Sequence, residues 1–382
     1  MAADLSCYNV ADLRERARRR LPRGIWEYAE RGTEDELCMA RNCAAFERVT
    51  FRPRVLRGVQ SVDTGTEILG KPSAMPLALA PTGAAGLLWY KGDLALAHAA
   101  AAAGVPFTIS SASTMDLEQI AAAGGRLWFQ LYYWEDRSLS HAVVERAHDV
   151  GCDTLFITLD MPVPPNREYI HRNGFGTPFR LNARNTLDVL SHPRWLLGVM
   201  GRYLLDGGVP SQANLPDRLR SKVTKGAPPG ALFKQDDLDW DAIGVLRDLW
   251  PGKLLLKGVL HPEDAERALA LGADGIVVSN HGGRALDSSM ATLDALPAVA
   301  AAVKGRMAVL LDSGVRRGSD VVKALALGAD AVLVGRAALY GLAASGEAGV
   351  ARALELLKAE TARTMAMLGV RTIAEIDSSL FG

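Results

Sequence analysis

The chain has 382 residues, 49% of them hydrophobic, with 43 basic and 43 acidic side chains and therefore no net charge. That length supports a large buried core, as two or three domains or as one long α/β barrel, and the charge balance offers no global field to draw the protein onto nucleic acid. Its four cysteines, Cys7, Cys38, Cys43 and Cys152, show no metal-ligand spacing, so no metal is expected and they read as reduced thiols of a cytoplasmic protein.

The first twenty residues, MAADLSCYNVADLRERARRR, are charged and lack an apolar signal core. No later stretch reaches the roughly 18 uninterrupted apolar residues of a spanning helix. Residues 1–75 contain a basic helical pattern, VADLRERARRRLPRGIWEYAERG, and a connector. Eight short apolar runs follow: PLALA (76–80), VPFTIS (105–110), RLWFQLY (126–132), TLFITLD (154–160), KLLLKG (253–258), DGIVVSN (274–280), MAVLLDSG (307–314) and DAVLVG (330–335). They are nearly continuous in apolar character, as strands of a parallel sheet covered on both faces should be. Alanine-rich helical segments ending in glycine lie between them. Two near-copies, LALGADGIVVS (269–279) and LALGADAVLVG (325–335), repeat one helix–turn–strand unit. The pattern predicts a (β/α)8 TIM barrel with an N-terminal helical segment, the whole chain forming one domain. An open doubly wound sheet is the runner-up, and it lacks a GxGxxG turn after its first strand.

Between the fourth and fifth runs lies a long insertion, 161–238. Insertions of that length are usually lids, binding segments or disordered regions. Its stretch LDVLSHPRWLLGVMGRYLL (187–205) mixes apolar and aromatic residues with Arg194 and Arg202, and Arg218, Arg220, Lys222 and Lys225 follow near Asp217. Apolar, aromatic and basic residues together suit an interfacial segment lying on a bilayer; a soluble lid closing over substrate is the alternative.

In a barrel of this kind, the C-terminal strand ends build the active site. Here they carry Pro81-Thr82-Gly83, Ser110, Gln130 with Tyr132, Thr158 with Asp160, Lys257, Ser279 to Arg284, Asp312 to Arg316, and Gly335-Arg336. The sharpest cluster is VVSNHGGRALD (277–287), where His281 stands beside two glycines that let backbone approach a ligand, with Arg284 three residues on. Arg284 is a candidate bidentate carboxylate anchor; Arg167, in the insertion, is either a second anchor or a solvated surface group. Asp160 either orients His281 or serves a turn before Pro162. Lys257, ending an aliphatic strand, points at a negative charge or at solvent, or acts as the Schiff-base lysine of an aldolase. Asp312, Gly314, Arg316, Gly335 and Arg336 lie after the last two strands, where barrels often hold phosphate.

The motifs APTG, FQLY, KGVL, SNHGGRALD and DSGVRRGSD…ALGADAVLVGRA, in barrel order, resemble the FMN-dependent 2-hydroxy-acid oxidising family, which contains glycolate oxidases, lactate dehydrogenases and mandelate dehydrogenases. The resemblance runs from about residue 10 to the C-terminus and is weakest in the insertion. It implies FMN at the barrel mouth. Asp312–Arg316 and Gly335–Arg336 would hold its phosphate, and Pro81, Thr82, Gly83, Ser110, Gln130, Thr158 and Ser279 would surround the rest. Lys257 would lie near N1 and O2 of the flavin. The implied reaction converts an (S)-2-hydroxy acid to its 2-keto acid, with His281 as base favoured by Asp160, and Tyr132, Arg284 and Arg167 holding substrate; the carbanion and hydride routes both stay open. Trp26, in IWEYAERG, takes the position of a family tyrosine that contacts the substrate carboxylate, and Ala112 replaces a tryptophan of the glycolate-oxidising members. A small Ala112 enlarges the pocket, as in mandelate enzymes, while SHPRWLLGVMGR is closer to the lactate enzymes. Gly83 stands where many oxidases carry alanine, so electrons are expected to leave to a quinone or another carrier. The family also implies a homotetramer and, for members with a quinone partner, peripheral contact at the inner face of the cytoplasmic membrane.

Overall fold

The structure, a computed structural model, describes residues 6–176, 182–215, 220 and 233–382. A short hairpin, β1 (Thr66–Ile68) and β2 (Lys71–Ser73), precedes a closed barrel. The barrel strands are β3 (Leu77–Leu79), β4 (Phe107–Ser110), β5 (Leu127–Leu131), β6 (Thr154–Thr158), β7 (Lys253–Val259), β8 (Gly275–Val278), β9 (Ala308–Leu311) and β10 (Ala331–Val334). All pair in parallel, and β10 closes on β3 through Val332–Leu77, Leu333–Ala78 and Val334–Leu79. Each of the eight apolar runs of the sequence is one of these strands. The fold is a (β/α)8 barrel.

Alternation along the strands divides the core in two. Ala78, Trp128, Phe156, Leu255, Val277, Leu310 and Leu333 fill the barrel interior, and Ile68 of the hairpin packs against them. Leu77, Leu79, Ile109, Phe129, Leu131, Leu256 and Val278 face outward into the helical layer. Burial on both faces is why the runs read as continuous rather than alternating. The hairpin was not anticipated, because three-residue strands are too short to show a period.

N-terminal helices span Val10–Arg20, Arg23–Glu30 and Leu37–Arg48. Asn9 caps the first, accepting from the Asp12 N–H at 2.9 Å, and its buried Val10, Leu13 and Ala17 belong to the outer core. The second helix carries one flank to the barrel mouth. The third brings Asn42 against the loop after β8, where the Asn42 and Asn280 amides exchange hydrogen bonds of 2.8 and 2.7 Å.

Within the insertion, helices cover Ala183–Leu190, Pro193–Trp195 and Arg202–Leu205, with a wider π-turn at Leu196–Gly201. Trp195, Val199 and Tyr203 are buried, and the Trp195 indole N–H donates to the Leu87 carbonyl at 2.7 Å. Leu187, Leu190, Leu197, Leu204 and Leu205 are exposed, Leu205 by 91%. One side therefore packs on the barrel layer and the other presents leucines outward. Arg218, Lys222, Lys225 and Asp217 lie outside the described residues, and Arg220 is tied to the Asp116 carboxylate at 2.6 Å. Among the described residues, no helix is long and apolar enough to cross a membrane.

Candidate active site

Parallel strands bring their C-terminal ends to one face, and a cavity opens there with a void of about 1270 Å3 including its mouth. Its lining includes Pro81, Thr82, Gly83, Ser110, Ala112, Tyr132, Thr158, Arg167, Lys257, His281, Arg284, Asp312, Gly314, Arg316, Gly335 and Arg336, all singled out from the sequence. Tyr28, Met161 and Phe233 also line it and were not, while Ser313 lies within the 312–316 stretch assigned to phosphate.

The loop after β8 runs through three consecutive left-handed residues, His281, Gly282 and Gly283, with φ of +59°, +68° and +74°. Such a run is costly for any residue with a Cβ. At Gly283 a Cβ would come within 2.6 Å of the Met39 nitrogen. The paired glycines thus allow the backbone to turn and hold the strained His281 where its ring enters the cavity. Asn280 fixes the turn by accepting from the Gly283 N–H at 3.2 Å and donating to the Met290 carbonyl at 3.0 Å.

His281 is bonded on both ring nitrogens. Nδ1 lies 2.9 Å from Asp160 Oδ1 and Nε2 3.0 Å from the Tyr132 hydroxyl oxygen. An ionised carboxylate only accepts, so Nδ1–H donates to Asp160 and Nε2 accepts the Tyr132 O–H. Burial pushes the Asp160 carboxyl up, but the His281 ring and the Lys257 ammonium more than offset it, leaving it below its ordinary range. Burial pulls His281 below its ordinary value, with Asp160 opposing and Lys257 and Arg167 assisting. The ring is therefore neutral near pH 7 with a basic Nε2. Burial, helped by Asp160, holds the Tyr132 phenol far above its ordinary value, so it stays protonated.

Two guanidiniums stand beside this base. Arg284 Nη1 donates to the Tyr28 and Arg31 carbonyls at 2.7 Å each. Arg167 Nη2 donates to the Arg284 carbonyl at 3.2 Å, while its Nε is buried without a partner among the described residues. Burial and then Arg284 bring Arg167 down to about 10, still cationic at neutral pH. Neither has a carboxylate partner among the described residues, which makes the pair a receptor for an anion.

Trp26 is not part of this cavity. Its ring lies 6.0 Å from that of Tyr340 and beneath the Arg14 guanidinium. Tyr28 lines the cavity instead, its hydroxyl donating to the Gly83 carbonyl at 3.3 Å. Two residues along a helix turn the side chain by about 200°, so the two rings occupy opposite sides of Arg23–Glu30. The expectation that Trp26 replaces the substrate-contacting tyrosine is therefore corrected. Gln130 and Ser279 do not line the cavity either; each supports a residue that does. The Gln130 amide accepts from Ser110 Oγ at 2.9 Å and donates to Thr158 Oγ1 at 3.0 Å, and Ser279 Oγ accepts from Lys257 Nζ at 2.8 Å.

A family model described as FMN-dependent dehydrogenase matches residues 17–382. The chain belongs to this family. It is 45% identical to the (S)-mandelate dehydrogenase of Pseudomonas putida, over 97% of this chain and 92% of that one. It is 42% identical to the L-lactate dehydrogenase of Ectopseudomonas mendocina (strain ymp), over 97% of each. A crystal structure of the monotopic membrane protein (S)-mandelate dehydrogenase superposes with a TM-score of 0.93 at 43% identity, covering 99% of both chains.

The cofactor of an FMN-dependent dehydrogenase needs room for a flavin and a receptor for a dianionic phosphate, and the residues present fit both. Among the described residues Arg336 donates only to backbone carbonyls, including Gly282 O at 2.8 Å and Glu30 O at 3.0 Å. Arg316 donates to its neighbour's carbonyl. Burial and then the Arg284 charge bring Arg336 down to about 10. Two cations facing one cavity without carboxylate partners among the described residues call for an external anion. A Cβ built on Gly335 would meet nothing closer than 3.7 Å and would project beside Thr82 and Ala80, so the glycine keeps space free. Lys257, 5% exposed, lies 3.0 Å from Asp312 Oδ2. Burial pulls its ammonium down, but Asp312 and Asp160 outweigh it and hold it above its ordinary value. A lysine ion-paired in this way suits charge stabilisation better than Schiff-base attack, in keeping with the family match, which sets the aldolase alternative aside.

Proposed function

We propose that this FMN-dependent dehydrogenase oxidises an (S)-2-hydroxy acid with a large, mandelate-like substituent to the 2-keto acid. The observation that carries the reading is an imidazole bonded on both ring nitrogens, by Asp160 and Tyr132, beside two guanidiniums without carboxylate partners among the described residues. Arg284 and Arg167 bind the substrate carboxylate, with Tyr28 and Tyr132 beside them. His281 Nε2 takes a proton from the substrate, and Asp160 stabilises the imidazolium that results. Tyr132 yields its hydrogen bond to Nε2 and turns it toward substrate oxygen. FMN, when bound, supplies the two-electron acceptor. Asp312, Gly314, Arg316, Gly335 and Arg336 would hold its phosphate, and Pro81, Thr82, Gly83, Ser110 and Thr158 would line its remaining surface. Lys257 would meet the negative charge that reduction brings.

Anaerobic bleaching of the flavin absorbance by (S)-mandelate, with L-lactate beside it, tests the assignment. His281→Ala should keep the protein yellow and slow bleaching by at least about 10²–10⁴-fold, the usual contribution of a positioned base. Near-native bleaching by that variant would remove His281 from its role. A lactate-specific enzyme is the second reading, favoured by the 42% identity to an L-lactate dehydrogenase.

The reading extends to the electron acceptor and to location. Exposed Leu187, Leu190, Leu197, Leu204 and Leu205, with exposed Arg184, Arg194 and Arg202, suit a segment that lies on an anionic bilayer while its other face stays on the barrel. That would place the enzyme at the inner face of the cytoplasmic membrane, passing electrons to a quinone, as one homotetrameric unit of single-domain chains. Protein that never co-sediments with anionic vesicles at low salt would leave 183–205 as a lid alone.

A further inference from the structure

The proposed chemistry places the substrate carboxylate at Arg167 and Arg284 and its reacting carbon beside His281 and Tyr132. The substituent on that carbon must then enter the remaining volume, whose apolar lining includes Ala112, Met161 and Phe233. Met161 is partly engaged, its sulfur 3.6 Å from Arg167 Nη2. Ala112 offers only a methyl group. Phe233 is different in kind: among the described lining residues it alone carries an aromatic ring without a polar substituent.

Its backbone is held in place. Phe233 bridges Trp134 in antiparallel fashion, the Lys234 N–H donates to the Tyr133 carbonyl at 3.0 Å, and the buried Gln235 amide donates to the Thr158 carbonyl at 2.6 Å. The ring lies 5.9 Å from that of Trp134 at 23° and 5.0 Å from that of Tyr132 at 48°. One side is thus backed by aromatic neighbours, yet the residue lines the cavity and remains 39% exposed overall. An apolar ring that is both fixed and exposed is a pre-organised surface, which binds a matching group without paying to order itself. We propose that Phe233 is a specificity-determining residue that selects 2-hydroxy acids bearing an aryl ring, by packing against that ring one aromatic layer beyond the Tyr132–His281 pair. The proposal rests on the functional reading above and names the group that its substrate carries.

The test uses FMN-loaded wild type, Phe233→Ala, Phe233→Leu and Phe233→Tyr. Anaerobic flavin reduction is measured with (S)-mandelate and L-lactate, and binding of the non-oxidisable phenylacetate and acetate is read from the flavin spectrum. An aromatic pair contributes roughly two- to tenfold beyond burial alone. Phe233→Ala should therefore lower the mandelate-to-lactate ratio of kcat/KM by about tenfold, mainly through a higher KM for mandelate. Phenylacetate should weaken by a similar factor while acetate binding holds. Phe233→Leu should fall between, and Phe233→Tyr should restore the ratio, which covers the case in which the alanine variant folds poorly. Equal changes for both acids, or none, would overturn the proposal. If the wild type reduces its flavin with neither acid, the functional reading fails by itself, and the phenylacetate-to-acetate comparison still decides what Phe233 recognises.

Discussion

Replacing Asp160 by asparagine isolates the charge behind the catalytic base. The carboxylate accepts from His281 Nδ1–H at 2.9 Å and is only about 10% exposed. Asparagine can keep a neutral hydrogen bond there, so ring orientation survives while the charge is lost. The ground state, with a neutral ring, changes little. The imidazolium formed as the substrate loses its proton forfeits a charge-assisted bond worth about 1.5–3 kcal/mol. At about 1.4 kcal/mol per decade, flavin reduction should slow roughly 10- to 150-fold. The pH dependence has a sign. Activity requires unprotonated His281 and is lost as pH falls through its pKa. Asp160 raises that pKa against burial, Lys257 and Arg167. Removing it leaves the lowering influences unopposed, so the acid limb of kcat/KM should move to lower pH. Stopped-flow reduction under nitrogen across a pH series measures both effects. A rate within twofold of wild type, or an acid limb that stays or moves upward, would refute the account of how this base is tuned.

Arg284→Lys should lower kcat/KM by about 10- to 100-fold although the charge is kept, because an ammonium cannot span the Tyr28 and Arg31 carbonyls and a carboxylate together; unchanged kinetics would count against the anchor. Ala112→Trp should reduce activity on mandelate more than on lactate, since the indole would fill the volume beside Gly83, where a Cβ would already come within 3.1 Å of the Ala112 methyl; equal losses would dismiss Ala112 as a size determinant. Reduced holoenzyme should reoxidise slowly in air and quickly with a quinone analogue; rapid reoxidation with stoichiometric peroxide would reassign it as an oxidase. Asn42→Leu should destabilise the holoprotein by about 1–3 kcal/mol, because the buried Asn280 amide loses its partner; an unshifted Tm would show that the amide pair does not support the histidine loop.

The strands and the reactive loop were legible because their constraints are local. A strand buried on both faces must be continuously apolar, so eight such runs could be counted along the chain. The left-handed turn at 281–283 demands glycine, so the paired glycines beside His281 announced a close backbone approach. Which face a helix turns inward is not local. Trp26 and Tyr28 belong to one short helix, and only its docking angle sends Tyr28 into the cavity and Trp26 toward Tyr340. Asn42 and Asn280 stand 238 positions apart and have no pattern in common, yet they fix the same loop. Phe233 becomes part of the cavity through its bridge to Trp134, a contact that no periodicity encodes. In 183–205 the sequence is apolar around much of the helix, so its pattern fits a lid and a membrane-lying segment equally. Packing against the barrel divides it: Trp195, Val199 and Tyr203, four residues apart, turn inward, and Leu197, Leu204 and Leu205 are left facing out.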